Sequence, residues 1–135
     1  MREPPRVSAI AFYATLVPAV DADGNDRAGV RAPMVEAPLA TCTGWNLRAR
    51  GFGQGALHEF SGSTLALPDT ALERAATGDP RRSIEERYGT VAGYVAAIRA
   101  AAERLVAERL MLPEDVERCV AAAADWDPAR HDVRL

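Results

Sequence analysis

Trp45, Asn46 and Arg48 form the densest group of side chains able to do chemistry in this sequence. Tryptophan offers a flat stacking surface, asparagine orients polar groups, and arginine grips a carboxylate through two parallel hydrogen bonds. These three are the residues that could face a pocket. A plainer reading is favoured by their setting: Trp45 plugs the junction between sheet and helices, while Asn46 and Arg48 bond loop carbonyls. Cys42 and His58 add a thiol and an imidazole that could form a nucleophile–base pair, but no third residue to orient the histidine is identifiable. A serine hydrolase needs its serine on a strained strand-to-helix turn, usually framed as G-x-S-x-G. None of Ser8, Ser61, Ser63 or Ser83 has that frame, and Ser83 is better explained as a helix cap.

Two further patterns fail on inspection. Asp21-x-Asp23-x-Asn25 opens like a calcium loop, but Asp26 stands where glycine is required and Ala32 where a bidentate glutamate is required. A polar turn is the better reading. Gly51-x-Gly53-x-x-Ala56 matches a relaxed dinucleotide fingerprint, which works only between a strand and a helix so that pyrophosphate meets the helix N-terminus. Here it sits in a loop. The residues therefore imply no catalytic side chain, no cofactor and no metal.

The bulk properties narrow the field further. At 135 residues the chain holds one domain at most. Hydrophobic residues make up 48%, but much of that is alanine and aromatics are only 6%, so the core should be thin. The net charge of −3 provides no basic field for a phosphate backbone, and a nucleic-acid partner is not expected. Cys42 and Cys119 form no zinc spacing and read as reduced thiols of a cytoplasmic protein, with one long-range disulfide as the alternative. The apolar stretch from Ala9 to Val20 has the outline of a short signal peptide. Glu3 and two prolines spoil its basic region, and it is shorter than the ~20 residues that span a bilayer. A buried strand, no membrane and the cytoplasm follow, with secretion as the alternative.

The elements that must position these residues divide near Pro68. Ile10 to Val20 reads as a strand, residues 21–26 as a polar turn, and the run from Val30 as a returning limb. Pro33 and Pro38 confine that limb to an edge or a merely extended segment. Residues 48–64, with Gly51, Gly53, Gly55 and Gly62, read as an irregular loop. Beyond Pro68 helix punctuation takes over. Thr70-x-x-Glu73 and Ser83-x-x-Glu86 fit capping boxes, and Gly78 and Gly89 fit helix stops. A long helix runs from Thr90 to about Leu110, with Val91, Tyr94, Val95, Ile98, Ala102 and Leu105 as its inner stripe. Pro113 starts a last helix whose stripe is Val116, Cys119, Val120 and Ala123. The expected fold class is α+β: an N-terminal β-hairpin and Gly/Pro-rich loops, then about four helices. The chain reads as a single partial domain, with a strand and loop part over 1–67, a helical part over 68–126 and a frayed tail over 127–135.

Three blocks then point beyond composition. They are the Val20-Asp-Ala-Asp-Gly-Asn25 turn, the Thr43-Gly-Trp-Asn-Leu-Arg48 stretch, and Gly78-Asp-Pro-Arg81 followed by Ile84-Glu-Glu-Arg-Tyr88. In this order, from about Tyr13 to about Ala124, they resemble the C-terminal region of a bacterial family of α/β-hydrolase domain-containing proteins. Cys42, where an aromatic is expected, and Ser8 to Phe12 depart from the pattern. The resemblance implies hydrolysis, of esters, by the full-length proteins, with the catalytic residues in a core for which this sequence has no counterpart. The expected function is thus a non-catalytic segment, truncated or one half of a split protein, that completes or covers a hydrolase core. Its partner would be a separately encoded core or a second copy. The alternative is a standalone helical module binding a partner or regulating one.

Overall fold

The computed structural model describes residues 16–58 and 60–125. Near the start, Asp21 builds the polar turn from its own side chain. Its Oδ1 accepts the amides of Asp23 at 2.9 Å and Asn25 at 3.0 Å, the local pattern that makes aspartate a turn former. Gly24 has φ +78°, and a Cβ there would press to 3.0 Å on the Thr41 methyl. Val20 and Asp26 close the turn by a single antiparallel bridge.

The returning limb differs from expectation. Pro33–Glu36 is one turn of helix, α1, instead of an extended edge. Proline at the first helical position loses nothing by lacking an N–H, and the amides of Val35 and Glu36 reach back to Ala32 O at 2.8 and 3.0 Å. Residues 10–15 of the expected strand, the Ser8–Phe12 departure and the 127–135 tail lie outside the described residues.

Four short strands follow: β1 (Ala40–Thr43), β2 (Asn46–Leu47), β3 (Leu57–His58) and β4 (Ser63–Ala66). They pair antiparallel in twos, β1 with β4 and β2 with β3. Residues 48–64 are therefore not irregular throughout, because β3 and the first residues of β4 fall inside that range. Three of the glycines of this range sit at the hairpin tip. Gly51, Gly53 and Gly55 all take positive φ there, which lets the tip turn without breaking the limbs. Gly62 has a separate reason: a Cβ on it would lie 2.3 Å from Thr43 O in the facing limb.

Four more helices complete the chain: α2 (Ala71–Thr77), α3 (Ile84–Tyr88), α4 (Val91–Ala107) and α5 (Pro113–Ala124). The Ser83/Glu86 capping box forms in full. The Thr70/Glu73 box forms by half: Thr70 Oγ1 accepts the Glu73 amide at 3.1 Å, but the Glu73 carboxylate accepts from the Asp69 amide at 2.8 Å. One residue upstream offered an equally free donor. Helix α4 stops three residues short of Leu110. Arg109 turns left-handed at φ +62°, and the Leu110 amide returns to Leu105 O at 2.8 Å. This closure ends a helix whose chain must turn before Pro113, since proline disfavours a helical residue at Leu112.

The core lies where α4 meets α5 and α1. Tyr94, Ile98, Ala101, Ala102 and Leu105 of α4 are buried with Val116 and Ala123 of α5 and with Ala37. Val91, at the start of the expected stripe, is exposed. The Tyr88 and Tyr94 rings meet edge to face at 5.2 Å, and burial pushes the Tyr88 phenol up to about 12. On the solvent side Arg99 grips Glu117 with both nitrogens, at 2.7 and 3.1 Å, so α4 and α5 are tied across their rims as well. The result is an α+β arrangement of small antiparallel sheets and five helices among the described residues.

Candidate functional site

The hairpin limbs that carry Trp45, Asn46 and Arg48 are anchored by polar side chains rather than by a deep apolar core. Asn25, fully buried, donates its Nδ2 to Ala40 O at 3.1 Å and accepts the Cys42 amide on Oδ1 at 2.7 Å. Its carboxamide thus takes the place of a neighbouring strand along the outer edge of β1. Arg81 does the corresponding work from the helical side. Its Nη1 donates to Thr41 Oγ1 at 2.8 Å and to Leu65 O at 3.0 Å, and its Nη2 donates to Ala66 O at 3.0 Å. Asp79 holds that guanidinium from behind at 2.6 Å, and the same guanidinium keeps the Asp79 carboxyl below its ordinary range. Arg87 forms an ion pair with Asp23, which fixes the polar turn to α3.

At the far end of the hairpin the limbs separate around Gly44 and Trp45. Trp45 O accepts from Thr43 Oγ1 at 2.5 Å and from Ser63 Oγ at 3.2 Å. Trp45 itself is 48% exposed. Trp45 therefore does not plug the junction of sheet and helices: the plug position is filled by Tyr88, whose hydroxyl donates to Pro38 O at 2.9 Å. Asn46 lies opposite His58 in the ladder, donates to its own limb's partner at Gly62 O (3.5 Å) and accepts the Leu47 amide at 2.7 Å. Arg48 pairs through its backbone, its amide to Ala56 O at 2.9 Å and its carbonyl to the Gly55 amide at 3.2 Å. Among the described residues its guanidinium bonds no carbonyl, so the loop-bonding role expected of it is not what the structure shows.

Asn46 and Arg48 line an open cleft of about 360 Å³ together with Leu47, Phe52, His58 and Ser61. Trp45 stands beside it rather than on its wall. Within it Ser61 Oγ and His58 Nδ1 lie 3.1 Å apart, a contact created by a spacing of three residues across a turn. That spacing was visible in the sequence as His58-x-x-Ser61, but nothing there distinguished it from any other polar pair. Cys42, the other partner considered for His58, is placed in β1 opposite Thr64, while His58 sits in β3 opposite Asn46. The two are not brought together. Ser61 is followed by β4 and not by a helix, so it is no nucleophile elbow. No carboxylate among the described residues hydrogen-bonds His58, so those residues place no acid behind the histidine.

A second cleft, about 480 Å³, opens between α1, α3 and α4 and is rimmed by Arg82, Arg87 and Arg104. Its arginines are already engaged: Arg87 with Asp23, Arg104 with Glu36 at 3.5 Å and Glu108 at 3.1 Å, and Arg82 with Glu86 O at 2.5 Å. They tie elements together. Among the described residues no group of three or more His, Cys, Asp or Glu could hold a metal ion, and no helix is long and apolar enough to cross a membrane.

The family model for an alpha/beta hydrolase domain matches residues 1–121. The chain belongs to the α/β-hydrolase domain family. No curated protein and no solved structure gives a match. The Ser61–His58 contact lies in a turn between two strands, β3 and β4, and not on a strand-to-helix turn.

Proposed function

We propose that this chain is a non-catalytic C-terminal segment of a bacterial α/β-hydrolase family protein, an esterase, and that it completes or covers a hydrolase core. One observation carries the reading. Large apolar side chains crowd the surface of the hairpin: Trp45, Leu47, Phe52, Leu57, Phe60 and Leu65 are all exposed, Phe60 at 92%. Scattered apolar residues are normal on a surface, but six large ones within some twenty residues support a contact surface there. A hydrolase core laid against this hairpin would bury the cluster and bring the Trp45, Asn46 and Arg48 limb to the edge of a pocket. On this reading the chain acts as a single partial domain, and its free thiols at Cys42 and Cys119 suit the cytoplasm.

The alternative, a helical module that binds a partner, finds less support. On α4 the large apolar residue left exposed is Val91, and α5 leaves none. The helical pair has spent its apolar faces on each other and on α1.

The test is direct. The purified chain is incubated with short p-nitrophenyl esters and with a fluorophosphonate probe. We expect no turnover above the blank and no labelling. Turnover that disappears in Ser61→Ala or Ser63→Ala would overturn the proposal and make the hairpin an active site.

A further inference from the structure

The polar side chains on the wall of the hairpin cleft have one chemical property in common: each has a hydrogen to give. The ladder sets Asn46 opposite His58, and Arg48, one strand period on, joins them on that wall. Asn46 spends its oxygen on the Leu47 amide at 2.7 Å, and its NH2 makes a single contact, to Gly62 O at 3.5 Å. One of its two hydrogens is therefore spare. His58 Nδ1 and Ser61 Oγ share a hydrogen at 3.1 Å. Whichever atom donates it, a second donor remains: the Nε2–H when Ser61 donates, the Ser61 O–H when His58 donates. Among the described residues the Arg48 guanidinium meets no acceptor, and no acid lines the cleft. Leu47, Ala49 and Phe52 supply apolar surface beside these donors. A cleft of about 360 Å³ with a few converging polar groups on an apolar wall is the usual build of a small-molecule site.

We propose that this cleft holds a carboxylate carried on an apolar body, and, resting on the reading that the hairpin limb borders the pocket of a hydrolase core, that the ester split there bears a free carboxylate away from its scissile bond. Spare donors and a positive charge call for an anion with acceptor oxygens. The guanidinium fork of Arg48 matches the two oxygens of a carboxylate in parallel, which a point charge does not. The apolar wall calls for a body that an inorganic anion lacks. The group held here is not the one that reacts, since Ser61 lies in a turn between two strands and not on a nucleophile elbow. Arg48 is thus a residue that positions substrate by its remote end.

The experiment titrates the full chain, isotope-labelled for NMR, with phenylacetate. Saturable shifts are expected at the Arg48 Nε–H, the Asn46 NH2 and the His58 ring, with a dissociation constant on the order of millimolar. Phenylacetamide, the neutral isostere, should shift none of them, and inorganic phosphate should bind more weakly by about tenfold or more. Arg48→Gln should weaken phenylacetate binding by about tenfold or more, and Arg48→Lys, which keeps the charge without the fork, should fall between. Arg50→Gln, off the cleft wall, should leave binding unchanged. A natural chain that binds phenylacetate no better than phenylacetamide overturns the proposal. So does an equal loss in Arg50→Gln, which would reduce the effect to general charge attraction, or phosphate binding as tight as phenylacetate. Binding that appears only in Glu59→Gln also overturns it, by giving the cleft to a carboxylate of the chain itself. None of these results touches the non-catalytic reading, which turns on ester turnover and fluorophosphonate labelling. Turnover together with intact phenylacetate binding would sink that reading and leave the carboxylate site standing.

Discussion

Single polar side chains hold this molecule together at points where its apolar core does not reach, and Asn25 is the clearest of them. It satisfies two main-chain groups of β1 from a fully buried position. Removing it leaves Ala40 O and the Cys42 amide without their partner, and Asn25→Ala should cost about 2–4 kcal/mol, read as a lower urea midpoint at unchanged slope. A loss under 1 kcal/mol would show that water replaces the carboxamide freely. Glu86 offers a second residue-scale test. The Ser83 amide, then the Ser83 hydroxyl, then Arg74 bring its carboxyl from 4.5 down to about 2. A group depressed in the folded state contributes stability above its unfolded value and loses it as pH falls through the folded one. Between pH 4.5 and 2 the melting temperature of the natural chain should fall more steeply than that of Glu86→Gln; parallel curves would refute the assignment. Asn25 was legible in the sequence only as part of a turn. Its bond to a strand fifteen residues away depends on how the turn packs, which no local pattern states.

At the scale of elements, the helices were readable because their signals are local. Capping hydroxyls, glycine stops and a stripe at spacings of three and four act within one or two turns. The strands were less so. Two-residue and four-residue strands are too short to show alternation, and glycines that serve a hairpin tip look, in one dimension, like glycines that break it. The end of α4 illustrates a compromise. Arg109 holds a left-handed conformation that an L side chain enters at a cost of about 1–2 kcal/mol. Glycine avoids that cost but loses more entropy on folding, so Arg109→Gly should stabilise by about 0.5–1 kcal/mol and raise the melting temperature by a few degrees. A lower melting temperature would mean that the Arg109 side chain contributes more than its backbone costs.

Among the described residues, α4 and α5 bury their apolar faces against each other, while the strand half displays a run of large apolar side chains. That asymmetry predicts binding of the dye ANS by the folded chain at neutral pH. Phe52→Ser, Leu57→Ser and Phe60→Ser combined should reduce the fluorescence several-fold while leaving the melt within a degree or two, because none of the three is buried. Unchanged fluorescence would place the dye site in the helical half and count against the hairpin as a contact surface. What the sequence by itself determined was the family, through three blocks in order, the starts of the helices beyond Pro68, and the stops at Gly78 and Gly89. All of these are properties of short windows. Tertiary structure alone decided that Trp45 stands exposed beside a cleft, that Cys42 and His58 are apart while Ser61 and His58 touch, and that Asn25 and Arg81 grip the sheet. Apart from the Ser61–His58 contact, three residues apart, those outcomes depend on contacts between residues 15 to 40 positions apart, which no single window contains.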